Sequence, residues 1–182
     1  MASIVKTLKH QDVMRSWGAK PTSGIIFYGP PGTGKTLLAM VIATKVDAEV
    51  YNIKMTDIAT NAFINTGANS IKDLFAFIRA KAEQNSKKHV IIILDEMDAI
   101  LKKRDGINQS DEDKKIVNTF LAEMSGFDTR SNVMFIGTTN NYDSLDSAVV
   151  RSGRFSTKVK VDLPDQEGRI EAFRIHMEKA KK

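Results

Sequence analysis

The stretch Gly29-Pro30-Pro31-Gly32-Thr33-Gly34-Lys35-Thr36 constrains this chain more than any other. It fits the pattern G-x-x-x-x-G-K-[ST], with glycine at both required positions and Lys35-Thr36 closing it. Glycines let a backbone turn tightly and aim successive N–H groups at phosphate oxygens, and a helix N-terminus behind them adds positive potential. Such a loop needs a strand before it and a helix after it. Gly24-Ile25-Ile26-Phe27-Tyr28 reads as a short buried strand, and Leu37, Leu38, Val41 and Ile42 mark the apolar face of a helix. Pro30, Pro31, Gly32, Thr33, Gly34, Lys35, Thr36 and Leu37 are therefore the candidate phosphate cradle. Lys35 is the residue to reach the β- and γ-phosphates, and the Thr36 hydroxyl the one to ligate Mg²⁺.

The remaining chain alternates strands and helices. Residues 1–23 read as a short helix offering Val5, Leu8, Val13 and Trp17 for packing, broken by Gly18 and Pro21. Glu49 to Ile53 is a second strand. Met55 to Asn69 is polar, small and irregular, with Phe63-Ile64 as an apolar pair inside it. Ile71, Leu74, Phe75 and Ile78 recur at helical spacing. Val90-Ile91-Ile92-Ile93-Leu94 is an unbroken apolar run, as expected of a strand buried on both faces. Asp111 is placed to cap a helix whose inward face is Ile116, Val117, Phe120, Leu121 and Met124. Val133 to Ile136 and Val159 to Val161 supply further strands, and a last helix from Gln166 gathers Ile170, Phe173 and Met177 on one side. Strands alternating with helices predict an α/β domain with a parallel sheet covered on both faces.

At 182 residues the chain is long enough for one domain with a real core, and 42% hydrophobic with 27% charged residues is a globular composition. The absence of cysteine excludes disulfides and thiolate metal sites. No apolar run is long enough to span a bilayer and the N-terminus lacks a signal-type apolar core, so the cytoplasm is the expected compartment. A net charge of +5 raises the question of a nucleic-acid partner. The basic clusters Lys87-Lys88, Lys102-Lys103-Arg104 and Lys181-Lys182 are short and not interleaved with aromatics, which favours a solvated surface.

Two further landmarks carry chemistry. Asp95-Glu96 follows the Val90–Leu94 strand directly, and ligands of open parallel sheets sit outside the carboxyl ends of the strands. Asp95 fits as a second Mg²⁺ ligand, direct or through water, and Glu96 as the group that polarises a water for in-line attack on the γ-phosphate. Asp98 fits either an orienting role or a helix cap. Thr138-Thr139-Asn140 follows the Val133–Ile136 strand, and Asn140 is placed to donate to the γ-phosphate or hold the lytic water. Arg151 and Arg154 suit a surface pair as well as they suit the positive charge an anionic transition state needs.

Taken in order and spacing, these motifs resemble the large ATPase subdomain of the AAA+ superfamily. The likeness is to the AAA clade of proteasomal ATPases, FtsH-type proteases, katanin-like severing enzymes and double-ring unfoldases. Gly29–Thr36 stands as its Walker A motif, Ile91–Ile100 as its Walker B block, and Gly137–Phe155 as its second region of homology. Lys9-His10 to Trp17-Gly18 resembles the lead into the loop, and Leu163-Pro164-Asp165 to His176 the junction into a helical lid.

The resemblance implies a P-loop NTPase fold with a five-stranded parallel sheet between helices. It also implies Lys35, Glu96, Asn140, Arg151 and Arg154 as the catalytic set, with Thr36 and Asp95 on Mg²⁺. Asn140 takes the sensor role, and Arg151 and Arg154 fall at arginine-finger positions that serve a neighbour's ATP. The implied assembly is a ring, usually a hexamer. Phe63 and Ile64 align with the pore loop that grips a polypeptide substrate; the alternative is a Phe63 tucked into the core.

Departures from the family pattern are Asn65 for the pore-loop glycine, Ser125-Gly126-Phe127 for Asp-Gly-Phe, Asn141-Tyr142 for Arg-Pro, and Ser156 for an acid. The likeness further implies that residues 1–182 are the large ATPase subdomain without the adenine-holding segment, a substrate-selecting N-terminal domain or the helical lid, as in a chain trimmed to that subdomain or an unusually reduced member of the family. The expected function is Mg²⁺-dependent ATP hydrolysis used to remodel, unfold or chaperone proteins. The rivals are a nucleic-acid-directed motor and an ATP-assembled scaffold with weak turnover.

Overall fold

The computed structural model describes residues 24–61, 67–85, 88–103, 111–127, 132–151 and 154–180. Strands β1 (Gly24–Tyr28), β2 (Glu49–Lys54), β3 (Val90–Asp95), β4 (Val133–Thr139) and β5 (Thr157–Lys160) form one sheet in the order β2-β3-β4-β1-β5. Every pairing is parallel, which is the expected five-stranded α/β architecture. The helices are α1 (Lys35–Lys45), α2 (Met55–Asn61), α3 (Gly67–Gln84), α4 (Asp111–Ser125) and α5 (Gln166–Ala180).

Alternation along the central strands divides the core in two. Ile26, Ile92, Leu94 and Phe135 face α3 and α4, whereas Ile25, Phe27, Ile91, Ile93 and Ile136 face α1. On the first side Phe75 lies at the centre of an aromatic group, with ring centroids 5.4 Å from Phe120, 5.6 Å from Phe127 and 6.0 Å from Phe135. The predicted inward face of α4 is fully borne out: Ile116, Val117, Phe120, Leu121 and Met124 are all buried.

Several local expectations are corrected. The inward face of α1 is Lys35, Ala39, Ile42 and Ala43, while Leu37, Met40 and Val41 are exposed. The loop fixes the phase of this helix: Lys35 must turn into the loop, and positions four, seven and eight further on share its face. The alanines there let α1 lie close on the sheet. The Met55–Asn69 stretch contains α2 and the first turn of α3, which starts at Gly67 rather than near Ile71. Met55 is fully buried and Gly67 and Ala68 pack inward, small residues that carry little periodic signal. Asp111 is the first residue of α4, heading an acidic turn with Glu112 and Asp113 that suits the positive helix end. On α5, Ile170, Phe173 and Met177 are exposed. The helix expected within residues 1–23, and Phe63 and Ile64, lie outside the described residues.

Candidate nucleotide site

Sheet order brings the site together. β4 lies between β3 and β1, so the ends of all three strands open side by side. The register runs Tyr28↔Thr139 between β1 and β4, and Leu94↔Gly137 between β3 and β4. The loop after β1, the acids after β3 and the polar end of β4 therefore line one edge. They enclose a cleft of about 460 Å³. Pro31, Gly32, Gly34, Lys35, Thr36 and Leu37 form one wall, Asp95 and Glu96 a second, and Thr138, Thr139 and Asn140 the third.

The loop's backbone depends on its glycines at two points. Gly34 precedes α1 at φ 81°, a left-handed conformation with no Cβ penalty in glycine. Gly29 passes so near β5's exit that a Cβ there would stand 2.2 Å from the Val161 carbonyl oxygen. Lys35 is 7% exposed, and its Nζ donates to the carbonyls of Gly29 at 3.0 Å and Pro30 at 2.7 Å. Burial pulls its pKa below the usual lysine value, against the opposing pull of Asp95 and Asp98. Thr33 Oγ1 also donates to the Pro30 carbonyl, at 3.0 Å. Pro30 and Thr33 thus brace the loop from behind, and neither lines the cleft.

Across the cleft, Thr36 Oγ1 donates to Asp95 Oδ1 at 2.9 Å. Thr138 Oγ1 donates to that same oxygen. Thr139 Oγ1 donates to Asp98 Oδ1 at 2.6 Å and accepts the Asn141 N–H at 3.0 Å. Asp98 therefore orients a neighbour rather than only ending a turn. Both threonines are buried, and reading the sequence did not assign them roles. The signal was there: β4 continues to Thr139 instead of stopping at Ile136, which sets Thr138 and Thr139 beside the acids of β3.

Arg151 is exposed and outside this cleft. Arg154 is also outside it, half-buried, with Nη1 donating to the Ala148 carbonyl at 2.8 Å and Nη2 to Ser125 Oγ at 2.8 Å and the Leu121 carbonyl at 3.3 Å.

A glycine-rich loop between strand and helix, facing an acidic strand end across a parallel sheet, defines a P-loop nucleoside-triphosphate-binding fold. Residues 25–163 match the ATPase family associated with various cellular activities (AAA), and the chain belongs to that family. It is 41% identical over 174 residues to a proteasome-activating nucleotidase of Methanocaldococcus jannaschii, covering 94% of this chain and 39% of that protein. Identity to the proteasome-activating nucleotidase of Saccharolobus solfataricus is 41% over 177 residues, covering 96% and 43% respectively. The ATP-dependent zinc metalloprotease FtsH of Chloroflexus aggregans is 39% identical over 179 residues, covering 97% and 26%. The chain thus spans less than half the length of these curated relatives.

Proposed function

We propose that this cleft binds ATP with Mg²⁺ and hydrolyses it, and that the chain acts as the large ATPase subdomain of a ring that remodels or unfolds proteins. The observation that carries the reading is the convergence of Lys35, Thr36, Asp95, Glu96 and Asn140 on one cleft from three separate strand ends. The Thr36 hydroxyl and Asp95 carboxylate are adjacent hard oxygen donors, a set that fits Mg²⁺, which takes only one or two protein ligands beside phosphate. Bound there, the ion would offset charge developing between the β- and γ-phosphates.

In this reading Lys35 exchanges the carbonyls of its own loop for phosphate oxygens. Glu96 accepts a proton from a water in line with the γ-phosphorus, and Asn140 donates to the γ-phosphate or holds that water. Arg151 and Arg154, both outside their own cleft, complete the site of a neighbouring subunit in a homo-hexamer. Phe63 and Ile64 grip the polypeptide. Protein substrates are favoured because relatives at 41% identity are named as proteasome-activating nucleotidases. The cytoplasm is the compartment we propose; separately, among the described residues no helix is long and apolar enough to cross a membrane.

The test is specific ATPase activity against protein concentration. Activity that climbs and then levels off supports sites completed between subunits. A flat, measurable rate overturns the shared site, and a rate at background overturns hydrolysis by this chain.

A further inference from the structure

Glu96 is one of two non-glycine residues with positive φ among the described residues, the other being Asp47. Its backbone sits in the left-handed region at φ 57°, ψ 48°. A glutamate has no local reason to adopt that conformation, so its surroundings must hold it there. Two neighbours on β4 do so. Gly137 leaves room for the turn that follows: a Cβ there would fall 1.9 Å from Met97 Sδ, and Met97 is fully buried. Thr138 supplies the tether. Its Oγ1 accepts the Glu96 N–H at 3.3 Å, just where the β3 ladder ends, and donates its proton to Asp95 Oδ1.

One buried hydroxyl thus fixes the backbone of one acid and the carboxylate of the other. Thr138 is only 2% exposed, so water cannot readily replace either bond. Without the tether, relaxation of Glu96 out of the left-handed region would swing its side chain to a different direction, while the phosphate loop on the far wall stays as it was.

We infer that Thr138 is a positioning residue for catalysis: although it lines the cleft, it acts through the two acids, setting the direction of the Glu96 carboxylate and the rotamer of Asp95. This rests on the hydrolytic reading above and deepens it. A side chain that serves only to fill the interior is replaceable by valine, which keeps the shape and removes the hydroxyl. A positioning residue is not.

Thr138→Val, Thr138→Ser and Glu96→Gln are to be compared in the intact protein, at concentrations where specific activity has levelled off. Melting temperature and binding of a fluorescent ATP analogue in EDTA are measured alongside. Thr138→Val should lower kcat about 10- to 100-fold, the scale of a misplaced reacting group. Its metal-free analogue affinity should stay within about twofold, and the Mg²⁺ concentration for half-maximal rate should rise, as expected when a group that orients a metal ligand is lost. Thr138→Ser, which keeps the hydroxyl, should recover most of the lost kcat. Parental kcat in Thr138→Val beside an inactive Glu96→Gln overturns the positioning role and leaves the hydrolytic reading intact. Unimpaired turnover in Glu96→Gln takes Glu96 out of the water-activating role, and a background rate in the parent protein overturns the hydrolytic reading itself. Should Thr138→Val fail to fold, a Thr138→Ser variant as slow as Glu96→Gln would equally exclude the hydroxyl as the determinant.

Discussion

Thr36 and Asp95 stand 59 residues apart in the chain and meet hydroxyl to carboxylate at 2.9 Å. The two proposed metal donors are therefore direct neighbours. A hydroxyl that gives its proton to a carboxylate keeps lone pairs for a cation, so this contact is compatible with metal binding. Asp95→Asn retains an acceptor for Thr36 but removes the charge. Half-maximal ATPase activity should then require roughly tenfold to a hundredfold more Mg²⁺, the scale seen when a metal site loses a supporting group. Nucleotide affinity in EDTA should be spared. An unchanged Mg²⁺ requirement would take Asp95 out of the metal site.

Lys35 helps to keep its own loop in shape. Its ammonium rests on the Gly29 and Pro30 carbonyls, which fold the loop around it. Lys35→Ala deletes both this internal support and the charge that phosphate would meet. Nucleotide binding should be lost over the titratable range, read by fluorescence titration. Tight binding by a folded Lys35→Ala protein would show that backbone N–H groups alone hold the phosphates.

The strand-loop-helix unit at Gly24–Lys45 and the acidic end at Asp95-Glu96 were legible in the sequence because local patterns specify them. Glycine spacing and an unbroken apolar strand do not depend on distant partners. What escaped depended on such partners. The seat of Glu96 is made by Gly137 and Thr138, and the burial of Ala39 and Ala43 follows from the direction Lys35 must take. The α2 helix carries polar residues at most positions and is anchored by Met55, with Ile58 and Ala59 partly buried against the core, too little for periodicity to register. The exposed face of α5, with Ile170, Phe173 and Met177, has helical spacing but no partner among the described residues.

Phe75 makes the core's contribution testable apart from the site. It is fully buried, and it ties α3 to α4 through Phe120 and to the sheet through Phe135. Phe75→Ala should cost about 3–5 kcal/mol in denaturant unfolding, the range for removing a buried aromatic ring. Residual folded protein should keep its nucleotide affinity, since Phe75 is not part of the cleft wall. A loss below about 1 kcal/mol would mean that the neighbouring rings collapse into the space.

Arg154 is held within its own chain, which sets what its removal must do. The guanidinium links the end of α4, through Leu121 and Ser125, to the turn at Ala148. Helix C-termini favour a cation, so the attachment is electrostatic as well as hydrogen-bonded. Arg154→Ala should therefore destabilise the fold by about 1.5–3 kcal/mol, the range for a hydrogen bond to a charged group. Arg151→Ala, at an exposed position, should leave the melting temperature near that of the parent. If both serve a neighbour's ATP, each should also lower turnover by roughly a thousandfold, as loss of an arginine finger does. Mixed assemblies separate the two roles of Arg154. In rings combining Arg154→Ala with Glu96→Gln subunits, sites pairing an intact Glu96 with a neighbour's intact Arg154 reappear, and turnover should partly return. No return in rings shown to contain both variants would leave Arg154 as the anchor of α4 alone and pass the finger role to Arg151.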